Sequence, residues 1–596
     1  MNASTESFGR KTWARCTTHI KVFLTSPDAG PQAKWMSGLL VVFLLGINAL
    51  SVLNSYVGRD VITTLANRDL PGFSRQALLW LLVFAGATLV SVVSRYIEER
   101  LGLLWRNWTT RRVLSRYMSH RAYYRISVSG EIEHPDQRIT EDIRTFTVTT
   151  LSYVLMLLNG SITAIAFAYV LWSISPLLLF VAIAYAAFGS LLTLKLGRRL
   201  MRLDFWQLDK EAKFRAALVH LKVNARLVAV AQREGYLSER LMSLLTELTS
   251  NAERIIRVNR NVGFFTTGYN WLIQLISLVL VAPLYAHGEV QFGVVTQAAA
   301  AFAQLVGAFS LIVTQFQSLS SFAAVVTRVD SLFTAVRPSP EASVEPFINV
   351  LDQGDHVRFE EVCIPRANSG GALINKLTLA IKAGQRVLII GQEEAALSAL
   401  FRATAGLSTP GTGAIFRPPC GQIMYLSERP YLPLTIQDFL LQPGPIDCDP
   451  ATVFFTDPGE TVASACPLPW FPAGNTHQVL AELDLTALYE RLSLLQDEHD
   501  WDSRLTLGEQ QLLACAHLLL MSPLFAVLDR PNTTLENVTL KKVYGALQAR
   551  GIGYIAFGGE ATHPEHYDTI VELLPDGRWR SRASQPPPDE SSGRHA

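Results

Sequence analysis

DWDSRLTLGEQQLLACAHLLLMSPLFAVLDRPNTTLE, residues 500 to 536, holds two adjoining patterns on which the reading of the whole chain turns. Leu505-Thr506-Leu507-Gly508-Glu509-Gln510-Gln511 opens an apolar run of helical length. A strand-like stretch, Leu524–Leu528, then ends in Asp529. A glycine at a helix start leaves backbone N–H groups and the positive end of the helix free to meet an anion. An acid at the end of a buried strand can hold a magnesium ion or its water shell. The pair, in this order, points to an α/β unit that faces an anion; the plainer alternative is an ordinary helix–strand unit that contains a glycine.

Together the two patterns resemble the signature loop and Walker B strand of ABC-transporter nucleotide-binding domains, where the text runs close to LSLGEQQ and then LLDEATSALD. The resemblance implies that Thr506, Gly508, Glu509 and Gln510 contact ATP held by an opposite subunit, and that Asp529 serves the metal. It also implies that Arg530 stands at the position of the catalytic glutamate, and a cation there cannot orient water as a carboxylate does. On this reading, replacing Arg530 would change a partner's hydrolysis little.

At 596 residues the chain is too long for one core, so two or more domains are expected. Its 52 basic and 51 acidic side chains give no electrostatic case for nucleic acid. Charged residues make up only 17 % and apolar ones 49 %, a balance that calls for membrane segments. The six cysteines have no paired metal spacing and read as reduced cytosolic thiols, so no metal site is expected from them. The mixed, basic N-terminus does not read as a cleavable signal peptide.

Six apolar runs, near 36–57, 77–97, 150–172, 175–194, 263–287 and 294–320, each reach the ~20 residues a helix needs to cross a bilayer, which makes lipid a partner. Nine arginines from Arg100 to Arg144, and the cluster Arg198, Arg199 and Arg202, put both polar stretches between spans in the cytoplasm. An even number of crossings returns the C-terminal half there too. The run from 198 to 260 has helical spacing, interrupted only by Gly235. The spans hold amides such as Asn48, Asn159, Asn270, Gln274, Gln304 and Gln315 but no charged core residue, and hydrogen bonds between helices are their expected role.

His134-Pro135-Asp136-Gln137-Arg138-Ile139-Thr140-Glu141-Asp142-Ile143 resembles the NPDQRIAEDI segment of one ABC branch. That branch holds the peroxisomal-type half-transporters (subfamily D), the bacterial SbmA/BacA-like proteins and the vitamin B12 carriers. Glu211, Phe214, Arg215, Leu218 and Asn224-Ala225, and then Gly288–Gly293 with Gln297-Ala298, resemble two further segments of it. The fold expected is an all-α membrane domain of six helices followed by an α/β ATPase-type domain. Its parts are an N-terminal segment at 1–35, the membrane domain at 36–336, a linker at 337–356, the second domain at 357–580 and a disordered tail at 581–596.

A phosphate-binding loop needs glycines, so that backbone N–H groups surround the phosphates, and a lysine to neutralise them. Aligned on GxxxxGKS, the stretch from Gly391 to Ser398 keeps Gly391 and Ser398, but it has Ala396 and Leu397 for the second glycine and the lysine. Glu393 and Glu394 add carboxylates where a polyanion would lie. Glu428 aligns with the Q-loop glutamine and Gly559 with the switch histidine. A slipped alignment does not restore the site, because no lysine lies from Ala383 to Leu440. Gly391, Ser398 and Asp529 are then vestigial, no catalytic residue is expected, and ATP with magnesium would be held mainly by a second half-transporter subunit. The insert from Gln442 to His477, with seven prolines, carries no legible chemistry. The reading is a half-transporter subunit in a bacterial inner membrane, for peptide, cobalamin-like or acyl substrates; the alternatives are a non-hydrolysing scaffold and an active homodimeric ATPase.

The topology is testable on intact cells with a membrane-impermeant thiol reagent. A Gly288→Cys variant should label and a Ser129→Cys variant should not; the reverse pattern overturns the assignment.

Overall fold

The computed structural model describes residues 2–130, 132–337, 347–366, 371–407, 409, 410–419, 421–432, 473–493, 504–533, 535–558 and 564–584. The chain divides into two compact units, Met1–Leu114 with Ser129–Val336, and Ser115–Val128 with Arg337–Ala596.

Helices build the first unit: α1 (Asn2–Leu24), α2 (Gly30–Ala66), α3 (Leu70–Met118), α4 (Ala122–Ser129, mostly in the second unit) and the single turn α5 (Pro135–Gln137). A π-helical turn, Arg138–Asp142, leads into α6 (Ile143–Ile174). Then come α7 (Pro176–Val223), α8 (Ala225–Ala231), α9 (Glu234–Ala286), α10 (Phe292–Thr314) and α11 (Phe316–Ala335). Six helical stretches are long and apolar enough to cross a membrane: Gly30–Ala66, Leu70–Met118, Pro135–Ile174, Pro176–Thr193, Glu234–Ala286 and Phe292–Leu311. Each coincides with one of the six apolar runs. In hydrocarbon every backbone N–H and C=O must be paired inside its own helix, which keeps each run unbroken. The third and fourth spans part at Ser175, which is extended, and Pro176 then opens α7 where a missing N–H costs nothing.

The polar run from 198 to 260 is not one helix. It breaks at Asn224 and again at Gln232, whose φ of 51° is left-handed, and Gly235 sits inside the first turn of α9. A glycine there costs little, because first-turn N–H groups have no intrahelical partner anyway.

Polar side chains join the spans as their amides predict. Asn48 donates to Asn159 Oδ1 at 2.8 Å, and Thr163 donates to Asn48 Oδ1 at 2.6 Å, linking α2 to α6. Tyr185 of α7 and Tyr269 of α9 stack with ring centroids 4.3 Å apart. Each hydroxyl donates to the other's carbonyl oxygen, at 2.6 and 3.0 Å. In the segment that follows His134, the buried Asp142 accepts two hydrogen bonds from Arg328 of α11, at 2.6 and 2.7 Å, and Arg138 donates to Ser331 at 2.7 Å. Arg–carboxylate pairs of this forked kind fix geometry as well as charge.

Two sheets frame the second unit. The first has the order β1-β5-β2-β3, with β1 (Asn349–Asp352), β2 (Val357–Pro365), β3 (Ala372–Ile381) and β5 (Thr412–Arg417). The second has the order β10-β9-β4-β8-β7-β6, with β4 (Arg386–Gly391), β6 (Ile423–Leu426), β7 (Phe525–Asp529), β8 (Gly553–Gly558), β9 (Thr569–Leu573) and β10 (Trp579–Ala583). Strands β6, β7, β8, β4 and β9 are parallel. Apart from Arg386 at the start of β4 and Asp529 at the end of β7, the middle ones are apolar and buried because both faces are covered, as a parallel sheet requires. Helices α12 (Glu394–Thr404), α13 (Ala473–Glu482), α14 (Thr486–Ser493), α15 (Leu507–Met521) and α16 (Asn537–Ala549) complete the unit.

Two stretches differ from the sequence expectation. The segment read as linker contains β1, which pairs in parallel with β5. The strand β10 carries the chain to Ala583, inside the segment read as a disordered tail, by pairing with β9. Both strands are short and polar, and pairing to a neighbour, not their own pattern, makes them strands. Most of the proline-rich insert, Gly559 and residues 585–596 lie outside the described residues.

A Cβ built at Gly189 of α7 would fall on the ring of Tyr269, which its two hydrogen bonds hold in place. Gly189→Val should therefore lower the thermal stability of the purified protein by about 1–3 kcal/mol. Adding Tyr269→Leu should recover part of that loss, and strictly additive losses in the double variant would show that the two residues do not meet.

Candidate functional site

The strand β4 is buried along most of its length and ends at Gly391. Only Gln392 and Glu393 separate it from α12, which starts at Glu394. Ala396 and Leu397 are therefore already inside the helix. Their N–H groups both turn back to the Glu393 carbonyl, at 3.1 and 3.4 Å. Both side chains are buried in the apolar core, and Ser398 lies one residue further along the same helix, half-buried.

The acids of this turn are paired within the domain. Arg366 donates to both oxygens of Glu393, at 2.7 and 2.8 Å. Glu394 is bound by Arg530. The same guanidinium reaches Glu428 at 2.8 Å and Asp529 at 3.4 Å. Arg530 thus stands among three carboxylates that come from the start of α12, the end of β6 and the end of β7. Burial opposes its charge, but Glu394, Asp529 and Glu428 hold its pKa above the ordinary arginine value. Burial also pushes the Asp529 carboxyl up, against the pull of Arg530.

Arg530 has a left-handed backbone, φ 49°, a region that a long side chain rarely enters. Its N–H donates to the Phe557 carbonyl of β8 at 2.9 Å, and its own carbonyl accepts from the Thr533 hydroxyl at 2.9 Å. Such strain persists where the surroundings over-determine the conformation. Here main-chain and side-chain bonds do so together.

Thr506 caps α15. Its hydroxyl accepts from the Glu509 N–H at 3.3 Å, and Glu509 Oε2 accepts from the Thr506 N–H at 2.8 Å, a complete capping box. Thr506 is exposed, and Gly508 and Glu509 are half-buried. Gln510, expected with them at a partner's ATP, is 5 % exposed in this chain and donates to the Leu505 carbonyl at 3.3 Å. It supports the loop from inside, because α15 is buried along most of its length from this position onward. Gln511, also buried, donates to the Glu428 carbonyl at 2.8 Å.

The structure therefore brings Glu393, Glu394, Glu428, Asp529 and Arg530 together, and leaves Thr506, Gly508 and Glu509 as a separate capped turn. Sequence reasoning missed Arg366 and Gln511. Arg366 lies 27 residues from the acid it binds, and no spacing rule connects them. The position aligned with the switch histidine, Gly559, is outside the described residues.

Residues 21–285 match the family described as ABC transporter transmembrane region 2. An uncharacterised ABC transporter ATP-binding protein of Synechocystis is 31 % identical over 564 residues, covering 92 % of this chain and 82 % of the relative. The chloroplastic ABC transporter D family member 2 of Arabidopsis thaliana is 31 % identical over 592 residues, covering 91 % and 83 %. The lysosomal cobalamin transporter of Homo sapiens is 23 % identical over 561 residues, covering 86 % and 87 %. With six membrane-spanning helices followed by an ATPase-type α/β unit in one polypeptide, the chain belongs to the ABC transporter family, as a half-transporter of the D-subfamily type.

Proposed function

We propose that this half-transporter does not hydrolyse ATP at its own phosphate-binding turn and that it works beside a second half-transporter subunit, whose ATP its signature loop completes. The observation that carries this reading is Arg530, bound to Glu394, Glu428 and Asp529. The residues present do not fit a magnesium triphosphate. The N–H groups of Ala396 and Leu397 turn back to the Glu393 carbonyl, Leu397 is buried where a lysine would reach out, and a guanidinium already sits among the acids. Four carboxylates there face two guanidinium groups, so a polyanion would meet an excess of like charge.

The signature loop supports the second half of the reading. Thr506, Gly508 and Glu509 keep a capped helix start, whose free end suits a γ-phosphate offered by another subunit. A partner would then hold the ATP and magnesium, and a heterodimer is favoured over a homodimer. The substrate class follows from the branch alone: an amphipathic peptide, a cobalamin-like molecule or an acyl chain. A bacterial inner membrane is the proposed location; an Escherichia coli relative at 22 % identity is named an inner membrane ABC transporter ATP-binding protein. A scaffold that only assembles with other subunits is the alternative, and an active homodimeric ATPase is the third.

Equilibrium binding of a fluorescent ATP analogue to the purified chain separates the degenerate site from an active homodimeric ATPase. We expect an affinity lower than that of an intact loop by at least roughly a few kcal/mol; micromolar binding would overturn the proposal. Leu397→Lys alone should not create hydrolysis, because Arg530 and Glu428 remain.

Gly508→Asp tests the trans role. It puts a charge beside the γ-phosphate, worth on the order of 1–4 kcal/mol at about 4 Å, so ATPase activity of the heterodimer should fall at least about fivefold. Membrane abundance should stay normal. An unchanged rate would favour the scaffold.

A further inference from the structure

The signature helix α15 is tied to the parallel sheet through one line of polar contacts. Arg530 is fixed to β8 by its N–H bond to Phe557. Its guanidinium holds the Glu428 carboxylate at 2.8 Å, and the Glu428 carbonyl accepts from Gln511 of α15 at 2.8 Å. Glu428 lies in irregular chain just after β6, so no ladder of its own holds it. Without Arg530 the carboxylates of Glu394, Glu428 and Asp529 would face one another uncompensated, and their repulsion would strain the Glu428 segment, whose main chain is also bonded to the Asp529 carboxylate. Gln511 is only 1 % exposed, so a shift of the Glu428 carbonyl weakens a buried hydrogen bond of α15.

We propose that Arg530, acting through Glu428 and Gln511, is a positioning residue that sets the first turns of α15 without nucleotide. This rests on the reading that the chain's own turn takes no ATP. An internal guanidinium performs the ordering of the surrounding acids that a bound metal and triphosphate would otherwise supply. The capped turn carrying Thr506, Gly508 and Glu509 is then held ready for a partner at all times. The expectation drawn from the sequence, that replacing Arg530 would matter little, is reversed: Arg530→Ala should slow a partner's hydrolysis by loosening α15.

Hydrogen exchange of the full chain in lipid nanodiscs, with and without ATP, tests this on peptides covering 505–513, with β4 and α16 peptides as references. In the wild-type protein ATP should leave 505–513 unchanged. In Arg530→Ala these amides should exchange about tenfold faster or more while the references stay within about twofold. Glu428→Gln keeps the carbonyl but loses the charge, and should shift 505–513 in the same direction by less. Arg530→Lys, a point charge that cannot fork among three carboxylates, should restore protection only in part. Unchanged exchange of 505–513 in Arg530→Ala overturns the proposal. If Arg530→Ala loosens the references as well, Glu428→Gln decides: a change confined to 505–513 supports the positioning role, and no change or a general one overturns it. ATP-induced protection of Gly391–Ser398 in the wild-type protein would instead strike the reading of the nucleotide turn, a separate result from the effect of Arg530 on α15.

Discussion

A guanidinium among carboxylates is the interaction on which the α/β unit's functional end depends. Glu394, Glu428 and Asp529 come from three elements, and each would repel the others if Arg530 were absent. Bringing them together is tolerable because one planar cation with several donors can serve them at once. The cost appears in the backbone, where Arg530 adopts a left-handed conformation to put its side chain among them. A second pair, Arg366 with Glu393, engages the other acid of the same turn. The turn itself is short, with two residues from strand to helix and the N–H groups of Ala396 and Leu397 bonded back to Glu393.

In the membrane unit a different economy holds. Lipid offers no hydrophobic reward for helix association, so close packing and buried hydrogen bonds must fix the arrangement. Asn48, Asn159 and Thr163 join α2 to α6, and the paired tyrosines join α7 to α9 across a glycine that lets the rings approach. Helix α10 lies against α2, α6, α7 and α9, and its Phe302 is fully buried among them. Charged contacts gather instead at the end of this unit, where Asp142 and Arg138 engage α11.

Local pattern was a reliable guide wherever the cause was local. Apolar runs of bilayer length became the six spanning helices, and the stretch from Thr506 became a capped helix because threonine and glutamate three residues apart satisfy each other's neighbours. The pattern failed at β1 and β10, whose strand state comes from pairing with distant partners. It also failed at Asn224 and Gln232, where the helix breaks without a glycine or proline. At Gln510, sequence could name the residue but not the side of the helix on which it would lie.

From the sequence alone came the six-helix membrane region, the α/β region after it, the family resemblance and the identities of Leu397, Glu428 and Arg530 at the aligned positions. Those properties follow from composition, periodicity and the order of residues, all of which act between neighbours on one turn or one strand. Only the tertiary structure decided that the acids of the turn are already paired, and with which cations. Arg530 and Glu394 are 136 residues apart, and Arg366 and Glu393 are 27 apart. Coulomb attraction depends on distance through space, and no local pattern measures the distance between chain segments that only a folded sheet brings together.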